Sequence, residues 1–398
     1  LNPRTPTGQP PQGCTFDQAW QPPLSCLYAV ICKLNLIHEV KSILRKSFRL
    51  SGTHRIVMKT AVYYSLDDIK VEEMAKPRIS QNEILVKMRA CGVCGSDLME
   101  WYLKSRAPLV LGHEPAGIIV EAGNKVKDFK VGDRVFVHHH VACLTCHYCI
   151  RGNYTMCEQF GKTHIIPGGF AEYFRVPSPN LQIDTLRIPA NLSFEEATLI
   201  EPVACSIRAM RKCNIQQSDV IAIIGAGPSG IINIMLLKNS NASKIIVSDV
   251  IDYRLKVAER FGADLTINSK KEDFVEKLKS ATAGRGADLV IVTAPSVEAF
   301  SEGMEVCRRG GILCLFAPTS PEVQARISPH RLFFSEIAII PSYSTSHVET
   351  KMALEMINSG KVKARELVTH CFPLTQIQDA FKTAAESKEC LKVVITNE

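Results

Sequence analysis

Four cysteines, Cys143, Cys146, Cys149 and Cys157, follow Val135-Phe136-Val137 at gaps of two, two and seven residues. Four thiolates on one tight loop can close a tetrahedron around zinc at roughly 2.3 Å per bond. Thiols packed simply as small hydrophobes would not cluster at metal-ligand spacing. An iron–sulfur cluster is the competing reading, since two of the gaps match the bacterial ferredoxin run. That run continues with a gap of three and a proline, so the gap of seven here favours zinc. A site closed by four protein ligands has no open position. It is structural, and any chemistry must lie elsewhere.

A sparser set of metal-type residues lies upstream and downstream of this loop. It comprises Gly92-Val93-Cys94-Gly95-Ser96-Asp97, Gly112-His113-Glu114 and, much later, Glu201-Pro202. One thiolate, one imidazole and one or two carboxylates can hold zinc while leaving a coordination position for water or substrate. Each piece alone is weak. A lone histidine is more often a satisfied core residue, and Glu201 alone reads as a helix-terminal charge. Their order along the chain, with the four-cysteine loop between them, makes the signal.

A third element points to the reaction class. Val220-Ile221-Ala222-Ile223-Ile224 reads as a buried parallel strand that runs into Gly225-Ala226-Gly227-Pro228-Ser229-Gly230 and then a helical segment over 231–237. Glycines there permit the tight turn and the close approach of a pyrophosphate, and the helix N-terminus offers amide donors. A second apolar strand, 245–247, leads through Ser248 to Asp249, an acid placed to accept from a ribose hydroxyl. The competing role for Asp249 is the N-cap of a helix over 253–260.

From Met58 to the C-terminus the chain resembles the zinc-containing medium-chain dehydrogenase/reductase family, and more narrowly its sorbitol dehydrogenase and threonine dehydrogenase branch. The residues that carry the resemblance are Cys94-Gly95-Ser96-Asp97, Gly112-His113-Glu114, Gly132-Asp133-Arg134-Val135, the four-cysteine lobe, Glu201-Pro202-Val203-Ala204, and the glycine-rich turn with Asp249. The resemblance implies that Cys94, His113 and one or both of Glu114 and Glu201 hold a catalytic zinc. It makes Ser96 the hydroxyl that passes the substrate proton outward and places Arg254 near the adenosine ribose beside Asp249. Gly225, Gly227, Pro228, Ser229 and Gly230 then cradle the dinucleotide. It implies two zinc ions per chain, NAD rather than NADP, and hydride transfer between a secondary alcohol and the nicotinamide ring. The alcohol would be a polyol, a sugar alcohol or an amino alcohol.

The chain departs from both branches near the substrate. Glu100 stands where sorbitol dehydrogenases carry an aromatic residue, and Ser344 where they carry an arginine. Leu98-Met99-Glu100 replaces a stretch in which threonine dehydrogenases carry a histidine. In their place is the hydroxyl-rich run Ser342-Tyr343-Ser344-Thr345-Ser346-His347, which either lines the cleft or closes a strand as a polar loop. A simple alcohol dehydrogenase or aldehyde reductase is the alternative enzyme. A non-catalytic nucleotide-binding zinc protein is the remote one.

The resemblance also sets the expected architecture: α/β, with a β-rich GroES-like catalytic domain that is discontinuous and a doubly wound parallel-sheet Rossmann domain. The catalytic segment spans 58–202 with the zinc lobe at 138–160, the Rossmann segment spans 203–341, and 342–398 returns to the first domain. Expected parallel strands are 221–224, 245–247, 289–292, 312–316 and 337–340, with a helix at 350–359 and a final strand at 391–395. The apolar edge at 337–340 invites pairing with a second copy, as a homodimer or homotetramer.

Residues 1–57 precede the stretch where this family's chains begin and read as a non-native or disordered extension with no function. They hold seven Lys/Arg against two Asp/Glu, which accounts for +5 of the formal charge of +7. The remaining +2 gives no basic surface for nucleic acid. The apolar run 24–37 is broken by Lys33 and Asn35 and is too short and polar to span a bilayer. Of fifteen cysteines, five are assigned to zinc and three lie in the extension. The other seven, scattered among apolar neighbours, read as reduced core thiols of a cytoplasmic protein. The consecutive His138, His139 and His140 read as alternating faces of an extended strand entering the lobe.

Overall fold

The computed structural model describes residues 56–240 and 242–397. The expected extension therefore lies outside the described residues up to position 55. Among the described residues no helix is long and apolar enough to cross a membrane.

The apolar strands of the second half line up as a six-stranded parallel sheet. Its order is Leu265–Asn268, Lys244–Asp249, Val220–Ile224, Ala287–Val292, Cys307–Leu315 and Ala338–Pro341. The side-chain period of two explains why these strands read as unbroken apolar runs. Ile221 and Ile223 enter one core together with Ile245, Val247, Leu289 and Ile291. Val220, Ala222 and Ile224 enter the core on the opposite face with Ile246, Val290 and Val292. Helices cover both faces, so every position is apolar. Each such fully buried Val or Ile stabilises the fold by about 1.5–3 kcal/mol relative to exposure.

The first half forms a second sheet, of seven strands. Val368–Pro373, Lys392–Thr396, Ile84–Gly92, Glu114–Ala122, Arg134–Val137 and Thr185–Arg187 follow one another, and Tyr173–Val176 also pairs with Ile84–Gly92. Two of its strands come from the C-terminal end of the chain. Lys392–Thr396 runs antiparallel to Ile84–Gly92, with Val394 opposite Gly92. The β-rich domain is thus discontinuous in sequence. Val57–Ser65 and Asp68–Ala75 form an antiparallel pair of their own.

One helix, Ile200–Cys213, ties the two sheets together. Its Ile200, Val203, Ala204 and Ile207 share a core with Ala116, Phe136 and Leu186 of the seven-stranded sheet and with Ile221 and Ile223 of the parallel one. That places the start of the helix, with Glu201, at the junction of the halves.

Four expectations are corrected. The sheet has a sixth strand, Leu265–Asn268, at the edge beside Lys244–Asp249; its Leu-Thr-Ile-Asn sequence is too short and polar to stand out as a buried strand. The last strand begins at Ala338 and not at 337, because Glu336 adopts a left-handed conformation (φ 50°) that ends the helix Pro329–Ser335. The three histidines are not on a strand: Arg134–Val137 ends before them, and the His139 and His140 rings lie 3.9 Å apart, not on opposite faces. Cys371 is exposed, so it is not a core thiol.

Candidate active site and metal centres

Two clusters of metal-type side chains occur among the described residues. In the first, the sulfurs of Cys143, Cys146, Cys149 and Cys157 all lie within 4.8 Å of one another. Cys146 and Cys149 are 3.5 Å apart and Cys143 and Cys149 3.9 Å. The edge of a tetrahedron with 2.3 Å metal–sulfur bonds is about 3.8 Å, so the loop fits zinc closed on all sides. Short 3-10 turns, Cys149–Arg151 and Tyr154–Met156, wind the chain back on itself. The Cys143 N–H points at Cys157 Sγ over 3.3 Å. Hydrogen bonds from the backbone and hydroxyl of Thr145 pull the Cys143 thiol down to about 6, which favours the thiolate. Burial instead pushes Cys149 up to about 12, a thiol whose ionisation needs a cation. Only Cys149, Cys157, Ala142 and Phe160 form an apolar centre here, too small a core to hold the lobe alone.

In the second cluster, Cys94 Sγ, a His113 ring nitrogen and a Glu114 oxygen lie within 4.8 Å of one another. They arrive from two strand ends, Cys94 from one and the adjacent His113 and Glu114 from the other. Cys94 follows Ile84–Gly92 and caps the 3-10 turn Gly95–Leu98, while Glu114 opens Glu114–Ala122 directly opposite Gly92. Asp97 holds two of these parts together. Its Oδ2 accepts the Cys94 N–H at 3.0 Å, and its Oδ1 lies 3.4 Å from His113 Nδ1. A carboxylate on Nδ1 leaves Nε2 as the nitrogen for a metal and makes it a better donor. Burial opposes the charged imidazolium, but Asp97 and Cys94 outweigh it and lift the His113 pKa well above its usual value.

Glu114 is wholly buried, and its Oε1 lacks a hydrogen bond. The Lys392 ammonium is beside it, 2.5 Å from Oε2. Burial pushes the Glu114 carboxyl upward, against the opposing pull of Lys392 and His113. A buried carboxylate with one oxygen unpartnered, next to a thiolate and an imidazole, is suited to a cation. The donor set fits zinc with a position to spare.

Glu201 is not part of that three-residue cluster. Its Oε1 accepts from Cys205 Sγ at 3.2 Å, one helical turn further along Ile200–Cys213. Ser96 sits half-buried in the 3-10 turn between Cys94 and Asp97. Sequence reasoning assigned no role to Asp97, Cys205 or Lys392. For Lys392 there was a signal, a single charge within the apolar strand Leu391-Lys392-Val393-Val394-Ile395. Cys205 stands four residues after Glu201, on the same helical face.

The nucleotide end is built around the turn after Val220–Ile224. Gly225 takes φ +105°, and a Cβ on Gly230 would lie 2.0 Å from the Gly225 carbonyl oxygen. Only glycine lets the helix Pro228–Lys238 start that close to the strand. Gly227 is its N-cap, Pro228 its first residue and Ser229 its second. Asp249 ends the adjacent strand and is not a helix N-cap; that place belongs to Ile251, whose N–H donates to Asp249 Oδ1 at 2.9 Å. Arg254 is the third residue of the following helix Asp252–Phe261, with its Nε buried and unpartnered.

Between the halves, Met99 and Trp101 on one side face Pro295, Ser296, Pro318 and Thr319 on the other across a cavity of about 410 Å³. Of the hydroxyl-rich run, Ser346 caps the helix His347–Asn358, while Ser342 and Thr345 are buried with unpartnered hydroxyls.

The family model for the alcohol dehydrogenase GroES-like domain matches residues 80–185, and that for zinc-binding dehydrogenases matches 228–359. The sorbitol dehydrogenase of Bacillus subtilis (strain 168) is 36% identical over 349 residues, spanning 85% of this chain and 97% of the relative. The chain belongs to the zinc-containing medium-chain dehydrogenase/reductase family. The L-threonine 3-dehydrogenase of Caldanaerobacter subterraneus subsp. tengcongensis is 33% identical over 332 residues, or 80% of this chain and 92% of that one. Among solved structures, a putative zinc-binding dehydrogenase from Sinorhizobium meliloti 1021 bound to NADP superposes with a TM-score of 0.78 at 26% identity. That match covers 86% of this chain and 100% of the other. This member of the family is an oxidoreductase acting on alcohols, with a GroES-like domain and a Rossmann domain.

Proposed function

We propose that the chain is a zinc-dependent, NAD-dependent dehydrogenase of a secondary alcohol, namely a polyol, sugar alcohol or amino alcohol. The observation that carries this reading is the convergence of Cys94, His113 and Glu114 within 4.8 Å, with Glu114 Oε1 buried and without a partner. Zinc held there supplies a Lewis acid that lowers the pKa of an alcohol hydroxyl, and the nicotinamide supplies the hydride acceptor. Asp97 keeps His113 oriented through Nδ1 and fixes the Cys94 backbone, so the donor set is held in place before substrate arrives. Ser96, half-buried beside them, is placed to pass a proton toward solvent. Met99, Trp101, Pro295 and Pro318 give the cleft between the halves partly apolar walls.

The four-thiolate lobe carries a second, structural zinc in this reading. Asp249 selects NAD through the ribose 2′-hydroxyl. Each carboxylate oxygen has two lone pairs, so one remains on each after the backbone bonds are made. Twelve free cysteines among the described residues suit a reducing compartment, the cytoplasm. Residues 58–202 with 342–398 form the zinc domain and 203–341 the nucleotide domain.

The test is a panel of polyols, sugar alcohols, amino alcohols, diols and simple primary alcohols assayed for NADH formation. Turnover of secondary alcohols well above primary ones supports the proposal. Efficient use of simple primary alcohols favours the alternative, an alcohol dehydrogenase or aldehyde reductase, and no turnover with any substrate overturns both.

A further inference from the structure

Lys392 is the first residue of the strand Lys392–Thr396 and is almost entirely buried. A lysine costs several kcal/mol to bury unless its charge is paired. Its partner is Glu114, on a strand that it does not adjoin. Ile84–Gly92 lies between them, and the ion pair forms across Gly92, the residue that Glu114 and Val394 flank from either side. A Cβ on Gly92 would lie 1.9 Å from Glu114 Oε2 and 2.9 Å from Lys392 Cε. The absence of a side chain there is what lets the two charged groups meet. Contact is one-sided: Lys392 Nζ is 2.5 Å from Oε2, while Oε1 is left buried without a hydrogen bond.

Besides Glu114, the ionisable groups that face Lys392 are Cys94 of the candidate catalytic centre, Glu201 and, two residues before the lysine, Cys390. A buried ammonium attracts the nearest carboxylate oxygen strongly.

We propose that Lys392 is a positioning residue of the catalytic metal centre, whose ammonium holds one oxygen of Glu114. This rests on the reading that Glu114 helps hold the catalytic metal. The lysine restrains the carboxylate so that Oε1 is the oxygen offered to the ion.

The holoenzyme with cobalt(II) in the catalytic site tests this, since cobalt d–d absorption reports its ligand set. In K392M the bands are expected to shift. K392R keeps the charge and is expected to bring them back toward the parent enzyme. Unchanged bands in K392M overturn the proposal, whatever happens to its thermal stability. So does a K392R enzyme that behaves like K392M, because packing and not charge would then be at work. If K392M does not fold, K392Q removes the charge while retaining a donor and is read in the same way. E114Q separates the two readings. Unchanged cobalt bands there remove Glu114 from the ligand set and overturn both; altered bands in E114Q with unaltered ones in K392M overturn the role of Lys392 alone.

Discussion

Asp249 Oδ2 accepts the backbone N–H of Ala226 at 2.7 Å, so the acid expected to meet the ribose also fastens the glycine-rich turn. Its other oxygen accepts Ile251 N–H at 2.9 Å. The carboxylate is thereby fixed at the end of its strand, turned toward the place where the helix Pro228–Lys238 presents its N-terminus.

A fixed carboxylate there would repel a 2′-phosphate. NAD is expected to be preferred over NADP in kcat/KM by at least about tenfold, which corresponds to roughly 1.4 kcal/mol. Asp249→Ala should erode the preference, weakening NAD use more than NADP use. It should also cost about 1–3 kcal/mol of stability, because buried amide donors lose their acceptor. Equal efficiency with the two cofactors in the parent enzyme would refute the ribose assignment.

With so small an apolar core, the four-cysteine lobe is expected to depend on the structural zinc proposed for it. Cys157→Ser should lower bound zinc from two per chain to one, reduce solubility and expose the lobe to protease. Elemental analysis of the purified protein, before and after substitution, decides it. A fully active parent enzyme holding one zinc would sink the two-site reading.

Burial, with the neighbouring His164 and His138 adding to it, depresses His140 from 6.5 to about 3, although its Nδ1 bonds the Thr163 carbonyl oxygen at 2.7 Å. The unfolded chain then binds the proton more readily than the folded one. Stability contributed by this residue is complete above about pH 6.5 and is lost progressively as the pH falls from 6.5 toward 3. Burial lowers His139 and His164 as well, which steepens the same slope. Denaturant midpoints measured across this range should fall with acidification. In His140→Asn, which keeps a donor but does not titrate, the fall should be shallower; an equal slope in both proteins would contradict the assignment.

At the other edge of the parallel sheet, Ala338–Pro341 pairs with Cys307–Leu315 on one side only. Ile339 and Ile340 are half-buried on that edge, and the helix before it leaves Phe333 and Phe334 exposed. Unpaired backbone groups beside apolar side chains favour pairing with a second copy. Sedimentation at micromolar concentration is expected to show a dimer or tetramer, and Ile339→Lys to shift it toward monomer. A monomeric parent protein would count against this.

The readings that needed only short stretches of chain matched the geometry closely. Cys143 to Cys157, and the run from Val220 to Asp249, each place interacting residues within one loop or one strand–turn–helix unit. Their spacing nearly defines their shape. Less was legible where the pattern was short or polar. Leu265–Asn268 offers too few apolar residues to show as a strand, and Glu336 ends a helix through a backbone angle that its side chain does not announce. The rings of His138, His139 and His140 gather because the chain leaves its strand at Val137, a change of direction set by packing around Phe160 and Asp184.

Sequence alone determined the ligand types, the fold class and the presence of a dinucleotide turn, because residue chemistry and period-two or helical patterning are local properties. Which carboxylate stands with Cys94 and His113 was decided only by tertiary structure. The sequence left open whether Glu114, Glu201 or both join them, until strand pairing set Glu114 opposite Gly92 and Glu201 was found paired with Cys205 on the helix Ile200–Cys213. Lys392 enters the same centre from the far end of the chain, through the antiparallel pairing of Lys392–Thr396 with Ile84–Gly92. Contacts of that kind depend on register between strands distant in sequence, and burial of the whole sheet, not any local preference, fixes that register.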